Sequence, residues 1–219
     1  MEELSETDLQ QLRSWLGSGS INIFGIQFSG KDTVANTLQH KLNSIIISSG
    51  DVMRHIYTGK RSALDDTIHK ASAVGALTGA LMPTNEFQRM MIHRLAEPDL
   101  IGRSIILSSV GRWIGEEKPI MEALDASNHG TKAVILLNIS EETAWKRWRS
   151  NQDGRNGGRH DDMNKETVER RINEYKNKTL PVIQVYRDMG ILLEINGEQP
   201  REAVLNDTLR ALYSFSRKV

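Results

Sequence analysis

The segment 21-INIFGIQFSGKDTVANTLQHKL-42 decides the fold. It begins with a short apolar run, continues as Gly25-Ile-Gln-Phe-Ser-Gly30-Lys31, and ends in a stretch with an apolar residue at every fourth position. A strand, a glycine-rich loop and a helix are the context that the phosphate-binding motif G-x-x-x-x-G-K requires. The loop glycines let successive backbone N–H groups point at an anion, and Lys31 reaches its outer phosphates. The segment therefore predicts a nucleotide-binding α/β protein.

An aspartate follows the motif lysine, where Ser or Thr is usual. The carboxylate of Asp32 can face a cation that bridges phosphates, and Thr33 beside it offers a hydroxyl to the same Mg²⁺. Alternatively, Asp32 turns outward and stabilises the first turn of its helix. The residues alone leave both interpretations open.

The rest of the chain repeats the alternation of strand and helix over 219 residues. Short apolar runs recur at 21–24, 45–48, 104–107, 133–137 and 191–195. Helical patterns occupy 4–16, 31–42, 50–58, 63–78, 84–96, 116–126, 141–150, 164–187 and 200–215. Buried parallel strands separated by helices predict a doubly wound α/β fold with a five-stranded parallel sheet, and we expect one domain over 1–219. The polar, Gly- and Asn-rich stretch 151–164 predicts a short lid.

Composition limits the partners. Acidic and basic residues balance at 28 each, so no overall charge attracts the chain to nucleic acid or to an anionic membrane. The chain has no cysteine, which excludes thiolate chemistry and fits a reducing cytoplasm. No apolar run approaches the roughly 20 residues that cross a bilayer. We expect a cytoplasmic monomer.

Three further segments carry a resemblance to a known family. The sequence 47-ISSGDVMR-54 is similar to I-S-T-G-D-M-L-R, 79-GALMPTNE-86 to G-x-L-V-P-D-E, and 159-RHDDMNKETVERRINEYKNKTLPVI-183 to R-x-D-D…E-T-V-x-x-R-L-x-x-Y…T-x-P-L-I. With the loop, they resemble the adenylate kinases and related nucleoside monophosphate kinases. The resemblance implies that family's P-loop kinase fold, an acceptor-binding segment at 48–98, and phosphoryl transfer from ATP, with Mg²⁺ as cofactor, to a nucleoside monophosphate.

The resemblance also implies roles for individual residues. Those for ATP are Gly25, Gln27, Phe28, Ser29, Gly30, Lys31, Asp32, Thr33 and Arg147. Those for the acceptor are Ser49, Gly50, Arg54, Arg112 and Glu116. Those for catalysis are Lys31, Arg112, Arg147, Arg159 and Arg171, with Asp161 and Asp162 supporting the lid. Guanidinium groups bind phosphate oxygens bidentately, which suits arginine to this task.

The alignment with the family leaves two arginines open. One extra residue before Glu166 makes Arg170 an alternative to Arg171. A second lid arginine of the family falls near Asn151, so that contact is absent or comes from Arg155.

One departure concerns the metal. Where the family has D-G-F-P-R, this chain reads 108-SSVGR-112, so Ser108 replaces an aspartate that helps to organise magnesium. We hypothesise that Asp32 substitutes for it. The alternative is a weakened metal site in a slow or specialised enzyme.

A second departure concerns the acceptor base. Glu116 stands four residues after Arg112, where adenylate kinases read adenine with a glutamine. A carboxylate only accepts hydrogen bonds, so it complements the two adjacent donors of guanine. Alternatively, Glu116 or the neighbouring Glu117 is a solvated acid at a helix start.

The pattern favours a nucleoside monophosphate kinase over two alternatives. A regulatory protein that only binds nucleotide does not need acceptor and transition-state arginines such as Arg54 and Arg171. A P-loop kinase of a small non-nucleotide acceptor remains an alternative, because the acceptor segment carries the least standard residues.

Overall fold

A computed structural model describes residues 3–78, 80–151 and 164–218. Its centre is a five-stranded parallel sheet with the order β2-β3-β1-β4-β5. The strands are β1 (Ser20–Gly25), β2 (Ile45–Ser48), β3 (Ile105–Ser108), β4 (Thr131–Asn138) and β5 (Leu192–Asn196). All five predicted strands are confirmed, each with bounds shifted by no more than a few residues.

Helices cover the sheet and connect its strands. In the described residues they are α1 (Glu6–Leu16), α2 (Lys31–Leu42), α3 (Ser49–Tyr57), α4 (Asp66–Thr78), α5 (Thr84–Leu95), α6 (Glu117–Ala126), α7 (Glu141–Ser150), α8 (Lys165–Glu174), α9 (Leu180–Asp188) and α10 (Arg201–Ser216). The acceptor segment predicted at 48–98 contains α3, α4 and α5. None of the described helices is long and apolar enough to cross a bilayer.

Alternation along the strands places a core on each face of the sheet. Ile106 of β3 packs with α1, α2 and α10, whereas its neighbours Ile105 and Leu107 pack with α3 to α6. Successive side chains of a strand point to opposite faces, so a continuous apolar run marks a strand that is buried on both. The carboxyl ends of β1 and β3 lie at one edge of the sheet, between the helices that cover its two faces. A doubly wound fold binds its ligand at this edge.

The helix predicted at 164–187 is interrupted. A π-helical turn, Tyr175–Thr179, separates α8 from α9. Pro181 lies in the first turn of α9 and has no N–H to close the α-helical bond to Asn177, which favours the wider turn. The turn places Tyr175 and Thr179 on the wall of the cavity described below.

Candidate active site

The phosphate loop joins the end of β1 to the start of α2. A Cβ on Gly25 would collide with Ser29 Oγ and lie 3.2 Å from the carbonyl oxygen of Leu137, so the missing side chain lets the loop curl this closely. Gly30 has a φ of +92° and is the N-cap residue of α2. Phe28 also has a positive φ, of 63°, which the motif did not predict. These conformations turn the loop around the N-terminus of α2, the partially positive end of the helix.

Three cationic side chains from different elements line one cavity beside this loop. They are Lys31 of α2, Arg112 after β3 and Arg171 of α8, and Gly25 and Gln27 line the same cavity. Lys31 and Arg171 are each only 8% exposed. Glu174 also lines this cavity, and Asp32 lies 3.5 Å from Lys31 Nζ. The three cations still outnumber these two acids, which suits the cavity to phosphate oxygens.

The position of Arg112 is fixed by its own segment. Buried Asn22 of β1 donates from Nδ2 to the carbonyl oxygen of Val110, 2.8 Å away. Arg112 donates from Nε to the carbonyl oxygen of Ser109, 3.0 Å away. The central strand therefore holds the turn that carries the arginine at the carboxyl edge of the sheet.

Glu116 lies beneath the same turn. Its Oε2 accepts the backbone N–H groups of Arg112, at 2.9 Å, and Trp113, at 3.2 Å. The residue is 3% exposed and immediately precedes α6, so the alternative of a solvated acid is wrong for Glu116. Burial raises the pKa of this carboxyl, and its hydrogen bonds with the backbone of Trp113 and Arg112 and with the Thr84 side chain oppose the rise.

The structure separates the two arginines whose alignment was open. Arg171 faces the cavity with Lys31, whereas Arg170 is exposed and donates to the carbonyl oxygen of Thr78, 2.6 Å away. Of the two, Arg171 is the one placed to contact a phosphate in this cavity.

Arg147 of α7 lies at a second opening, on the other side of the loop. Its Nη1 donates to the carbonyl oxygens of Phe28 and Ser29, at 3.2 and 3.3 Å, and its Nη2 to that of Gly197, at 2.7 Å. The arginine thus ties the loop to the end of β5. It also lines a groove of about 600 Å³ that the loop shares with the start of α10.

The groove contains residues that the sequence reasoning missed. Gln199, Arg201, Val204 and Leu205 line it together with Arg147. These positions follow β5, far from the loop in sequence, and carry no motif. The guanidinium of Arg201 donates to Thr33 Oγ1, 2.9 Å away.

This contact separates the two metal candidates. Thr33 turns its hydroxyl toward Arg201, whereas Asp32 Oδ1 accepts a hydrogen bond from Ser108 Oγ at 3.2 Å and lies 3.5 Å from Lys31 Nζ. Asp32 therefore contacts Ser108, the residue that aligns with the family's aspartate in the resemblance, and its substitution for that acid stays a hypothesis. Among the described residues, no group of three or more His, Cys, Asp or Glu side chains is arranged for a metal ion.

Three of the five acceptor candidates line a small, largely apolar pocket, and Gly50 and Arg54 are not part of its lining. Ser49 and Glu116 line it with Arg112 and Trp113, and its remaining wall consists of Met53, Leu81, Met82 and Phe87. Arg54 forms an ion pair with Asp51, and its guanidinium passes over Gly50, where a Cβ would lie 3.2 Å from Nη1. No sequence motif marks Trp113, and the centroid of its ring lies 3.8 Å from Lys178 Nζ.

Comparison with known proteins agrees with this geometry. The family model described as Adenylate kinase matches residues 23–191. That range includes the loop, the acceptor pocket and the arginines of the cavity. The chain belongs to the adenylate kinase family.

Named relatives cover most of this adenylate kinase family member. An adenylate kinase of Corynebacterium glutamicum is 31% identical over 190 residues, which are 87% of this chain and 97% of the relative. One of Leptospira biflexa is 29% identical over 187 residues, 84% and 94% of the two chains. As a family member the chain is a nucleoside monophosphate kinase, a phosphotransferase with ATP as donor. The identities show a divergent member.

Some of the site expected for an adenylate kinase lies outside the described residues. Arg155, Arg159, Asp161 and Asp162 belong to this part, as does the lid predicted at 151–164 apart from its two end residues. Their roles remain predictions from the resemblance.

Proposed function

We propose that the γ-phosphoryl group of Mg²⁺-bound ATP passes to a nucleoside monophosphate in the cavity lined by Lys31, Arg112 and Arg171. The observation that carries this proposal is the convergence of three cations from α2, the turn after β3, and α8 on one cavity beside the phosphate loop. Phosphoryl transfer needs in-line positioning and positive charge around the transferred group more than it needs covalent chemistry.

The donor lies along the loop. Its phosphates take the backbone N–H groups between Gly25 and Thr33, and Lys31 contacts the outermost phosphates. The groove next to Phe28 and Arg147 is large enough for the nucleoside half of ATP. Arg147 shapes this half of the site, because its guanidinium holds the loop carbonyls in place.

The acceptor lies on the opposite side of the cavity. Arg54 and Arg112 bind its phosphate, Ser49 and Gly50 border it, and the buried Glu116 lines the same pocket as Ser49 and Arg112. Guanine is the base that a carboxylate at this depth complements, and we retain it as a prediction. Arg159, supported by Asp161 and Asp162, adds a further cation to the transferred group.

Magnesium is the proposed cofactor. When bound, it bridges phosphate oxygens and neutralises their charge. Asp32 fits this cofactor, because its carboxylate lies beside Lys31 and the side chain is 53% exposed. Thr33 fits less well, because its hydroxyl accepts from Arg201. We also propose that the enzyme is a cytoplasmic monomer that binds neither nucleic acid nor membrane, as its charge balance suggests.

The test is ADP release coupled to NADH oxidation, with ATP, Mg²⁺ and a panel of ribo- and deoxynucleoside monophosphates. At least one monophosphate should stimulate ADP release well above the rate with ATP alone. Lys31→Ala should abolish this stimulation while the circular dichroism spectrum stays unchanged. No stimulation by any monophosphate, or a wild-type rate in Lys31→Ala, would disprove the proposal.

A further inference from the structure

The phosphate loop and the end of β3 meet at an unusual pair of side chains. Asp32 stands in the first turn of α2 and Ser108 is the last residue of β3, 76 positions away. Ser108 Oγ donates to Asp32 Oδ1 over 3.2 Å. The pairing of β3 with β1 and β2 aligns Ser108 with Ile23 and Ser48, so the serine lies at the carboxyl edge of the sheet.

The two side chains differ in exposure. Ser108 is 4% exposed, whereas the Asp32 side chain is 53% exposed and opens toward solvent beside Lys31. A carboxylate in this position lies 3.5 Å from the lysine that we propose contacts the outer phosphates of ATP. An Mg²⁺ ion on ATP needs oxygen ligands or hydrogen-bond acceptors for its waters in that region.

We propose that Asp32 organises the Mg²⁺ of bound ATP, and that Ser108 positions its carboxylate. The acid stands in the first turn of α2, whereas the resemblance to the family places an acid at the end of β3. This inference rests on the proposed function, which assigns Asp32 to the metal, and adds the role of Ser108 in positioning that carboxylate. Ser108 is a positioning residue, because its hydrogen bond fixes the rotamer of Asp32.

A competing role for Asp32 is to neutralise buried Lys31, 3.5 Å away, until nucleotide binds. The two roles differ in what they do to metal affinity. Neutralising Lys31 affects nucleotide binding with or without a divalent cation. Organising the metal affects the affinity of the enzyme–nucleotide complex for the cation itself.

The experiment measures Mn²⁺ binding to the complex with the non-hydrolysable ATP analogue AMP-PNP, from the electron paramagnetic resonance signal of unbound Mn²⁺. No acceptor is present, so failure of phosphoryl transfer cannot be confused with failure of this inference. Asp32→Asn should weaken Mn²⁺ binding about tenfold, and Ser108→Ala should weaken it less. Asp66→Asn is the matched control, since Asp66 is an exposed acid in the first turn of α4, and it should bind Mn²⁺ like the wild type.

An exchange variant tests whether the two positions are equivalent. Asp32→Ser combined with Ser108→Asp should restore Mn²⁺ affinity to within about threefold of the wild type. In this variant position 108 carries the carboxylate and position 32 the hydroxyl, so the same pair of groups is present with its positions exchanged. Wild-type Mn²⁺ affinity in Asp32→Asn would overturn the proposal. So would an exchange variant that keeps its circular dichroism spectrum but binds Mn²⁺ no better than Asp32→Asn.

Discussion

Glu116 provides a sharp test of how the acceptor side of the site is built. Its carboxylate accepts two backbone N–H groups from the turn that carries Arg112, and it is almost completely buried. Glu116→Ala leaves both donors without this acceptor, and a buried donor left unsatisfied costs about 1–3 kcal/mol. Removing the buried charge relieves a desolvation cost and offsets part of this loss. We therefore expect a net decrease of about 3 kcal/mol in the free energy of unfolding. Glu116→Gln keeps an acceptor oxygen and should lose about 1 kcal/mol.

The catalytic effect should follow the geometry of Arg112. A displacement of a phosphate-binding group by about 1 Å can cost about 100-fold in rate, so Glu116→Ala should reduce kcat/KM for the acceptor on that order. Glu116→Gln should keep kcat within about tenfold, because the turn survives. If the carboxylate also reads the base, Glu116→Gln should shift the ratio of kcat/KM for GMP over AMP toward AMP.

Urea unfolding followed by circular dichroism, and the coupled ADP assay with saturating ATP, measure these effects. Wild-type stability and wild-type kcat/KM in Glu116→Ala would refute the reasoning. An unchanged GMP-to-AMP ratio in Glu116→Gln would dispose of the base-reading role and leave the support of Arg112 standing.

The pH dependence of stability gives an independent check on Glu116. Burial raises its pKa above the ordinary value of 4.5, so the folded state favours the protonated carboxyl. Its contribution to the free energy of unfolding is therefore complete below pH 4.5 and is lost as the pH rises through the raised pKa. The difference in the free energy of unfolding between the wild type and Glu116→Gln should therefore decrease as the pH rises through the raised pKa. A difference that does not change with pH would contradict a raised pKa.

Two pairs of neighbouring arginines give further tests with internal controls. Arg171→Ala should lower kcat at least about 100-fold, because it removes a cation from the cavity, while Arg170→Ala should stay within about threefold; equal effects in the coupled assay would contradict the assignment. Arg147→Ala should raise the KM for ATP about tenfold or more, because it removes the hydrogen bonds to the loop carbonyls. Arg149 is exposed on the same helix, so Arg149→Ala should leave this KM unchanged. An unchanged KM in Arg147→Ala would show that the loop keeps its shape without the arginine.

The fold could be predicted from the sequence because its signals are local. Each strand is a short apolar run, and the helix of residues 31–42 follows directly from the loop with the predicted bounds. Ser5 and Asp8 form a capping box at the start of α1, which is likewise a local signal. The π-turn at Tyr175–Thr179 was missed because the apolar spacing on either side of it continues like one helix. Only Pro181 marks the interruption, and proline is also common in an uninterrupted first turn.

The site was predictable where its residues belong to one segment and not where distant segments meet. The loop glycines and Lys31 form a single motif. Arg201 carries no comparable signal, because its role depends on the end of β5 lying beside α2. Trp113 was missed for the same reason, since its contact with Lys178 joins the turn after β3 to the π-turn.

The choice between Arg170 and Arg171 shows what structure adds to an alignment. One inserted residue makes either arginine match the family motif, so sequence comparison alone cannot decide. Consecutive residues of an α-helix point about 100° apart, so only one of the two can face the cavity. Val168 and Ile172 are buried, and they fix which side of α8 packs against the protein. Arg171 lies next to Ile172 on that side and is buried, whereas Arg170 is exposed and donates to the carbonyl oxygen of Thr78 at the end of α4. Core packing of α8 thus selects the arginine, and a deletion in the preceding loop would leave this selection unchanged as long as Val168 and Ile172 stay buried.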